Sequence, residues 1–134
     1  MKSGLVVDTH SVLWYLADDP RLSARAVAAL DATTIDGGPI YVPAICIVEA
    51  TYLAEKGRIP DGGLERLLLA LEEPRPRFVL APLDLSVAVT ARSIPRSDVP
   101  DLPDRLIAAT AKSLGLPLVT KDRRIRTAKL ETIW

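Results

Sequence analysis

Short apolar runs alternate along this chain with longer stretches in which apolar residues recur every three or four positions. That alternation is the pattern of strands interleaved with helices. Residues 4–8 read as a buried strand, Leu5-Val6-Val7 closed by Asp8. Residues 10–17 follow as a short helix with Asp8 or Thr9 as its cap, stopped by Asp18-Asp19-Pro20. Ser23 caps a second predicted helix over 24–34, and Gly37-Gly38-Pro39 turns the chain into the strand Ile40-Tyr41-Val42. Pro43 is expected to start a helix that runs to about 56, with Gly57 just past its end. A further helix is predicted over 64–72, then a strand at Phe78-Val79-Leu80 and a helix over 85–93. The segment from Ile94 to Pro103, with three prolines, is a loop. A helix over 102–114 stops at Gly115, and Leu118-Val119-Thr120 is a fourth strand. A helical turn follows Asp122, and residues 130–134 suit a fifth, edge strand. Strands alternating with helices predict an α/β sandwich built on a parallel sheet.

Composition narrows the class. The 134 residues are 49% apolar and 25% charged, which suits one soluble domain, residues 1–134, with its own core. Formal net charge is zero, so only local clusters can speak for a nucleic-acid partner. Cys46 is the sole cysteine, which excludes an intrachain disulfide and a cysteine-based zinc site. Asp8 interrupts the first apolar run before it reaches the length of a leader or a membrane span. A cytoplasmic protein is expected, with no membrane partner.

Four acids carry the chemistry. Asp8 and Asp122 each follow an apolar strand run, and Asp104 opens a helix. In an open α/β sheet the carboxyl ends of the strands form the ligand crevice. Each of these three also has a plain capping explanation, since Asp is favoured at helix starts. Asp101 is the competing cap in Asp101-Leu102-Pro103-Asp104. Glu49 differs. It shares the i, i+3, i+4 face of Ile45, Val48, Tyr52 and Leu53, so it is expected on an apolar, inward face. There it needs a basic partner, or it serves as a metal ligand or general base.

Two carboxylates about 4 Å apart repel by roughly 4 kcal/mol at an effective dielectric near 20. A cluster of four must take up protons or bind a cation. With His10 the only imidazole, the donor set suits Mg²⁺ or Mn²⁺ rather than zinc. Such an ion can activate a water and stabilise a leaving oxygen in phosphodiester cleavage. His10 lies near the mouth of this site, either as a catalytic group or as an exposed first-turn residue. The stretch Lys121 to Lys129 holds five basic residues around Asp122, including Arg123, Arg124 and Arg126, and Arg105 stands beside Asp104. A basic rim on an acidic pocket suits a polyanion, although it also reads as ordinary surface charge. At 4% aromatic residues, backbone contacts are favoured over broad base stacking.

Val6-Val7-Asp8-Thr9-His10, Ile47-Val48-Glu49-Ala50, the helix from Asp104 to Ala111 and Leu118 to Asp122 resemble the motifs of PIN-domain ribonucleases. More closely they resemble the VapC toxins of toxin–antitoxin pairs. The resemblance runs from Leu5 to Trp134. It implies a PIN-like three-layer α/β/α sandwich with a mainly parallel sheet of four to five strands. It implies a Mg²⁺- or Mn²⁺-dependent endoribonuclease, a homodimer, and a VapB-type antitoxin that inserts a side chain into the acidic pocket. By the same resemblance Asp8, Glu49, Asp104 and Asp122 are the catalytic, metal-holding quartet, with Thr9 and Thr120 as supporting hydroxyls. Asp101 is a secondary member: relatives with this opening carry His-x-Asp-Pro-Phe-Asp where this chain has Asp98 to Asp104 without the histidine. Arg105, Lys121, Arg123, Arg124 and Arg126 are the RNA-binding candidates. The competing readings are a PIN-fold nuclease without a toxin role and another α/β phosphohydrolase. A haloacid-dehalogenase-like enzyme would carry a second Asp where His10 stands.

Overall fold

The computed structural model describes residues 3–127 and 129–134, with the backbone alone at Thr127. Met1, Lys2 and Ala128, the last within the predicted basic stretch, lie outside the described residues. Five strands form one sheet: β1 (Leu5–Val7), β2 (Ile40–Pro43), β3 (Phe78–Ala81), β4 (Leu118–Val119) and β5 (Thr132–Ile133). Among the described residues seven helices connect them: α1 (Thr9–Leu16), α2 (Ala24–Ile35), α3 (Ala44–Glu55), α4 (Gly63–Glu72), α5 (Leu85–Thr90), α6 (Leu102–Leu114) and α7 (Arg123–Thr127). The sheet order is β3-β2-β1-β4-β5 and every pairing is parallel. The expected three-layer α/β/α class is therefore observed, with five strands and no antiparallel edge among the described residues.

Several boundaries differ from the sequence expectation, each for a local reason. Pro43 ends β2 and caps α3 instead of starting it; it lacks only the N–H, which a strand's last residue can spare. The helix expected over 85–93 is α5 followed by a 3-10 turn at Ala91–Ser93. Helix α1 starts at Thr9 because Asp8 takes the cap and accepts the Ser11 N–H at 2.9 Å. Gly4 has φ +118°, and a Cβ there would stand 2.6 Å from the Pro39 carbonyl oxygen, so only glycine lets β1 start beside the β2 entry.

Topology places the site. Right-handed crossovers put α1–α4, which link β1 to β2 to β3, on one face, and α5–α7, which serve β4 and β5, on the other. The connection reverses direction at β1, so the crevice opens where β1 and β4 end side by side. The core around it is dry: Val6, Val7, Val42, Leu118, Val119 and Ile125 are fully buried. Among the described residues no helix is long and apolar enough to cross a membrane.

Candidate active site

The chain leaves β1 through Asp8, whose N–H bonds the Val119 carbonyl of β4 at 3.2 Å. This fixes Asp8 at the seam of the two strands. One carboxylate oxygen caps α1; the other accepts the Thr120 hydroxyl at 2.6 Å. Thr120 is fully buried and also receives the Asp122 N–H at 3.0 Å. One threonine thus couples the two strand-end acids. Burial raises the Asp8 pKa above the ordinary carboxylate range, and the bonds from Ser11 and Thr120 offset only part of that. The buried Ser11 hydroxyl has no well-formed hydrogen bond among the described residues, yet it stands close enough to Asp8 to favour its charged form. We read it as a weak electrostatic contact, not as a second cap.

Glu49 reaches the site from α3. The buried Thr9 donates a short hydrogen bond to its Oε1. The sequence expectation for this helix needs correction. Val48 and Tyr52 are 49% and 60% exposed, whereas Cys46 and Ala50 are fully buried. The small pair packs on the sheet, while Val48 and Tyr52 face solvent and Ile45 and Leu53 are half-buried against the core. Glu49 sits at the border between the two faces, half-buried, with a hydroxyl partner instead of a salt bridge.

Asp104 enters from the first turn of α6, which Asp101 caps by accepting the Asp104 N–H at 3.2 Å. Its carboxyl lies within hydrogen-bonding reach of Asp122. Partial burial, then hydrogen bonding with the Asp122 side chain, then the charges of Asp101, Asp122 and Glu49 push the Asp104 pKa up to about 8. Asp122 also caps α7, accepting the Arg124 N–H at 2.8 Å. Capping and gathering at one site are therefore not rival descriptions for Asp8, Asp101 and Asp122; the helix starts are how the fold brings these carboxylates together. Burial raises the neighbouring Cys46 thiol far above its ordinary pKa, which leaves it inert.

All four acids, with Thr9, His10, Ser11, Trp14, Asp101 and Lys121, line one cavity of about 470 Å³. Lys121 is the only Lys or Arg among those lining residues. Among the described residues no three acids are set to hold a metal ion as they stand. Like charges without a counter-ion spread apart or favour protonation, and Asp104 is pushed that way by its acidic neighbours. The donor set itself fits a hard divalent cation: carboxylates and hydroxyls, with the one thiol sealed in the core.

The predicted RNA contacts divide. Lys121 is exposed at the pocket. Arg123, Arg124 and Arg126 are exposed on α7 beyond it. Arg105 turns away, because one step along a helix rotates a side chain by about 100°. Its Nε donates to the Ile94 carbonyl at 2.9 Å and pins the proline-rich loop.

A family model of the PIN domain matches residues 5–130. The chain is 35% identical over 133 residues to the ribonuclease VapC22 of Mycobacterium tuberculosis, covering 97% of this chain and 98% of that protein. Among solved structures it is similar to VapBC2 from Rickettsia felis bound to a DNA fragment from their promoter, at TM-score 0.72 and 15% identity, over 96% of both chains. It is also similar to FitAcB from Neisseria gonorrhoeae, at TM-score 0.62 and 26% identity, over 96% of this chain and 95% of that one.

Proposed function

The chain belongs to the PIN domain family, and on that premise we propose that it is a VapC-type toxin, an endoribonuclease whose acid pocket works with Mg²⁺ or Mn²⁺. Residues 1–134 form one such domain in this reading, acting in the cytoplasm. The carrying observation is the convergence of Asp8, Glu49, Asp104 and Asp122 in one cavity at the β1–β4 crevice, with two hydroxyls dedicated to holding them. An unrelated α/β phosphohydrolase is set aside by the family match over 5–130.

The roles we assign follow the family resemblance, and the hydrogen bonds at the site support them. Asp8, oriented by Thr120 and the α1 N-terminus, and Asp104 would hold the cation most directly. Glu49, oriented by Thr9, and Asp122 would complete the set and orient the attacking water. A bound Mg²⁺ or Mn²⁺ supplies Lewis acidity and neutralises the charge that builds on phosphorus. Asp104, whose pKa is raised to about 8, would have to be deprotonated to hold the cation, so uptake would strengthen as pH rises. Lys121 meets the phosphate at the rim. Water adds to phosphorus, the P–O3′ bond breaks, and the ends are a 5′-phosphate and a 3′-hydroxyl.

A homodimer and a VapB-type antitoxin complete the reading. The exposed apolar side chains Val48 and Tyr52 of α3 and Leu102 of α6 support the dimer. RNA cleavage by the purified chain should need added divalent ion and stop with chelator or Asp104→Asn. Cleavage that survives both would overturn the mechanism. Growth arrest on expression, relieved by the product of an adjacent small gene, separates a toxin from a PIN nuclease with another role.

A further inference from the structure

His10 and Trp14 line two cavities at once. One is the acid pocket; the other is a groove of about 80 Å³ between α1, the α3–α4 connection and α4. Arg58 and Arg66 stand on the far wall of that groove. Both are exposed, and neither side chain pairs with a carboxylate among the described residues. Arg21, the third guanidinium here, is already committed: it pairs with Asp19 at 2.8 Å and lies 5.1 Å above the Trp14 ring. Trp14 is half-buried, with His10 at 5.5 Å and Trp134 at 6.1 Å. It therefore serves as backing, while the exposed His10 ring is the face a ligand can reach.

The layers of the fold give these positions a meaning. Arg58 and Arg66 belong to the face that carries α1–α4, whereas Arg123, Arg124 and Arg126 belong to α7 on the opposite face. The acid pocket opens between them, at the end of the seam of β1 and β4. A cationic bank thus flanks a carboxylate cluster from each layer. An enzyme that cuts inside a chain must hold the backbone on both sides of the broken bond, and the two banks meet that need.

Resting on the ribonuclease reading, we infer that a single RNA strand leaves the acid pocket over His10, on which one base stacks, and sets its following phosphates on Arg58 and Arg66. Phosphate contacts of this kind set affinity and its salt dependence, and one aromatic face adds sequence-tolerant stacking.

The test uses the full chain with Asp8→Asn, so that the RNA stays intact, and a labelled unstructured single-stranded RNA followed by fluorescence anisotropy over a salt series. The double change Arg58→Ala, Arg66→Ala should weaken binding about ten-fold or more at low salt and reduce the log–log salt slope by about 1.4, roughly 0.7 for each phosphate that is no longer neutralised. Changing both to lysine should keep the slope. His10→Ala should weaken binding by about ten-fold at unchanged slope, and His10→Phe should restore it. All these positions are exposed, and matching melting curves will establish that the fold is intact. An alanine pair with unchanged affinity and slope overturns the inference. If that pair keeps RNA binding but no longer binds a protein antitoxin, the surface belongs to the antitoxin and the inference also falls. If the Asp8→Asn chain binds no RNA at all, the ribonuclease reading itself fails.

Discussion

Asp8 offers a substitution in which charge and hydrogen bonding can be separated. Its carboxylate caps α1 through the Ser11 N–H at 2.9 Å and accepts the Thr120 hydroxyl at 2.6 Å, yet burial leaves its charge at a net disadvantage. Asp8→Asn removes the charge and keeps a carbonyl oxygen for the cap and an amide that can donate to Thr120. Asp8→Ala removes the charge and both bonds. Relief of the buried charge is common to the two variants and cancels in their difference. What remains is the cap, worth about 1 kcal/mol, and the fully buried Thr120 hydroxyl left with no hydrogen-bond partner at position 8, worth about 1–3 kcal/mol. The asparagine variant should therefore be more stable than the alanine variant by about 2–4 kcal/mol, or roughly 6–15 °C in Tm for a chain of this size. It should also be at least as stable as the parent at neutral pH without metal. Urea unfolding in chelator measures the difference, and both variants should lose RNA cleavage. If asparagine is less stable than the parent, the buried charge is not a liability. If alanine is as stable as asparagine, the cap and the Thr120 bond hold nothing. If asparagine retains full activity, Asp8 does not hold the ion.

Further outcomes follow from the same geometry. The Asp104 pKa is raised to about 8 in the folded chain from an ordinary value of 3.8, so the folded state binds the extra proton. Metal-free stability should then fall as pH rises through that window, by less than about 1.4 kcal/mol per pH unit because Asp104 is partly solvated. Melting in chelator from acid to mildly alkaline pH checks this; added Mn²⁺ should restore stability at the alkaline end, and a Tm that rises with pH would refute it. Thr120→Val keeps the shape but removes the donor to Asp8 and the acceptor for the Asp122 N–H. It should cost about 1–3 kcal/mol and weaken Mn²⁺ uptake measured by calorimetry. Gly4→Ala should destabilise by about 1–3 kcal/mol or more, from positive φ and the clash with Pro39, as read from the urea midpoint.

Much of this protein was legible in order along the chain. The alternation of apolar runs and amphipathic stretches gave the strands and helices, because burial in a parallel sheet demands continuous apolar residues and a helix on the sheet demands a stripe. The strand-end acids were visible for the same reason: a buried strand must end in something polar, and Asp8 and Asp122 do so at matching ends. Glu49 was found through an apolar stripe of which Val48 and Tyr52 turned out to face solvent. Periodicity identifies a stripe but not what covers it, and here the small residues Cys46 and Ala50 took the sheet-facing side.

The tertiary structure alone decided which neighbours in sequence remain neighbours in space. Arg105 follows Asp104 directly, yet helix geometry sends it back to Ile94. Arg58 and Arg66 lie more than forty residues from His10, and nothing local marks them; only the packing of α1 against α4 sets them around one groove. Likewise the sequence by itself determined that four carboxylates had to be reconciled with burial. Only the reversal of strand order at β1 decided that they meet in one pocket, because that reversal opens a crevice between two strands whose ends both carry an acid.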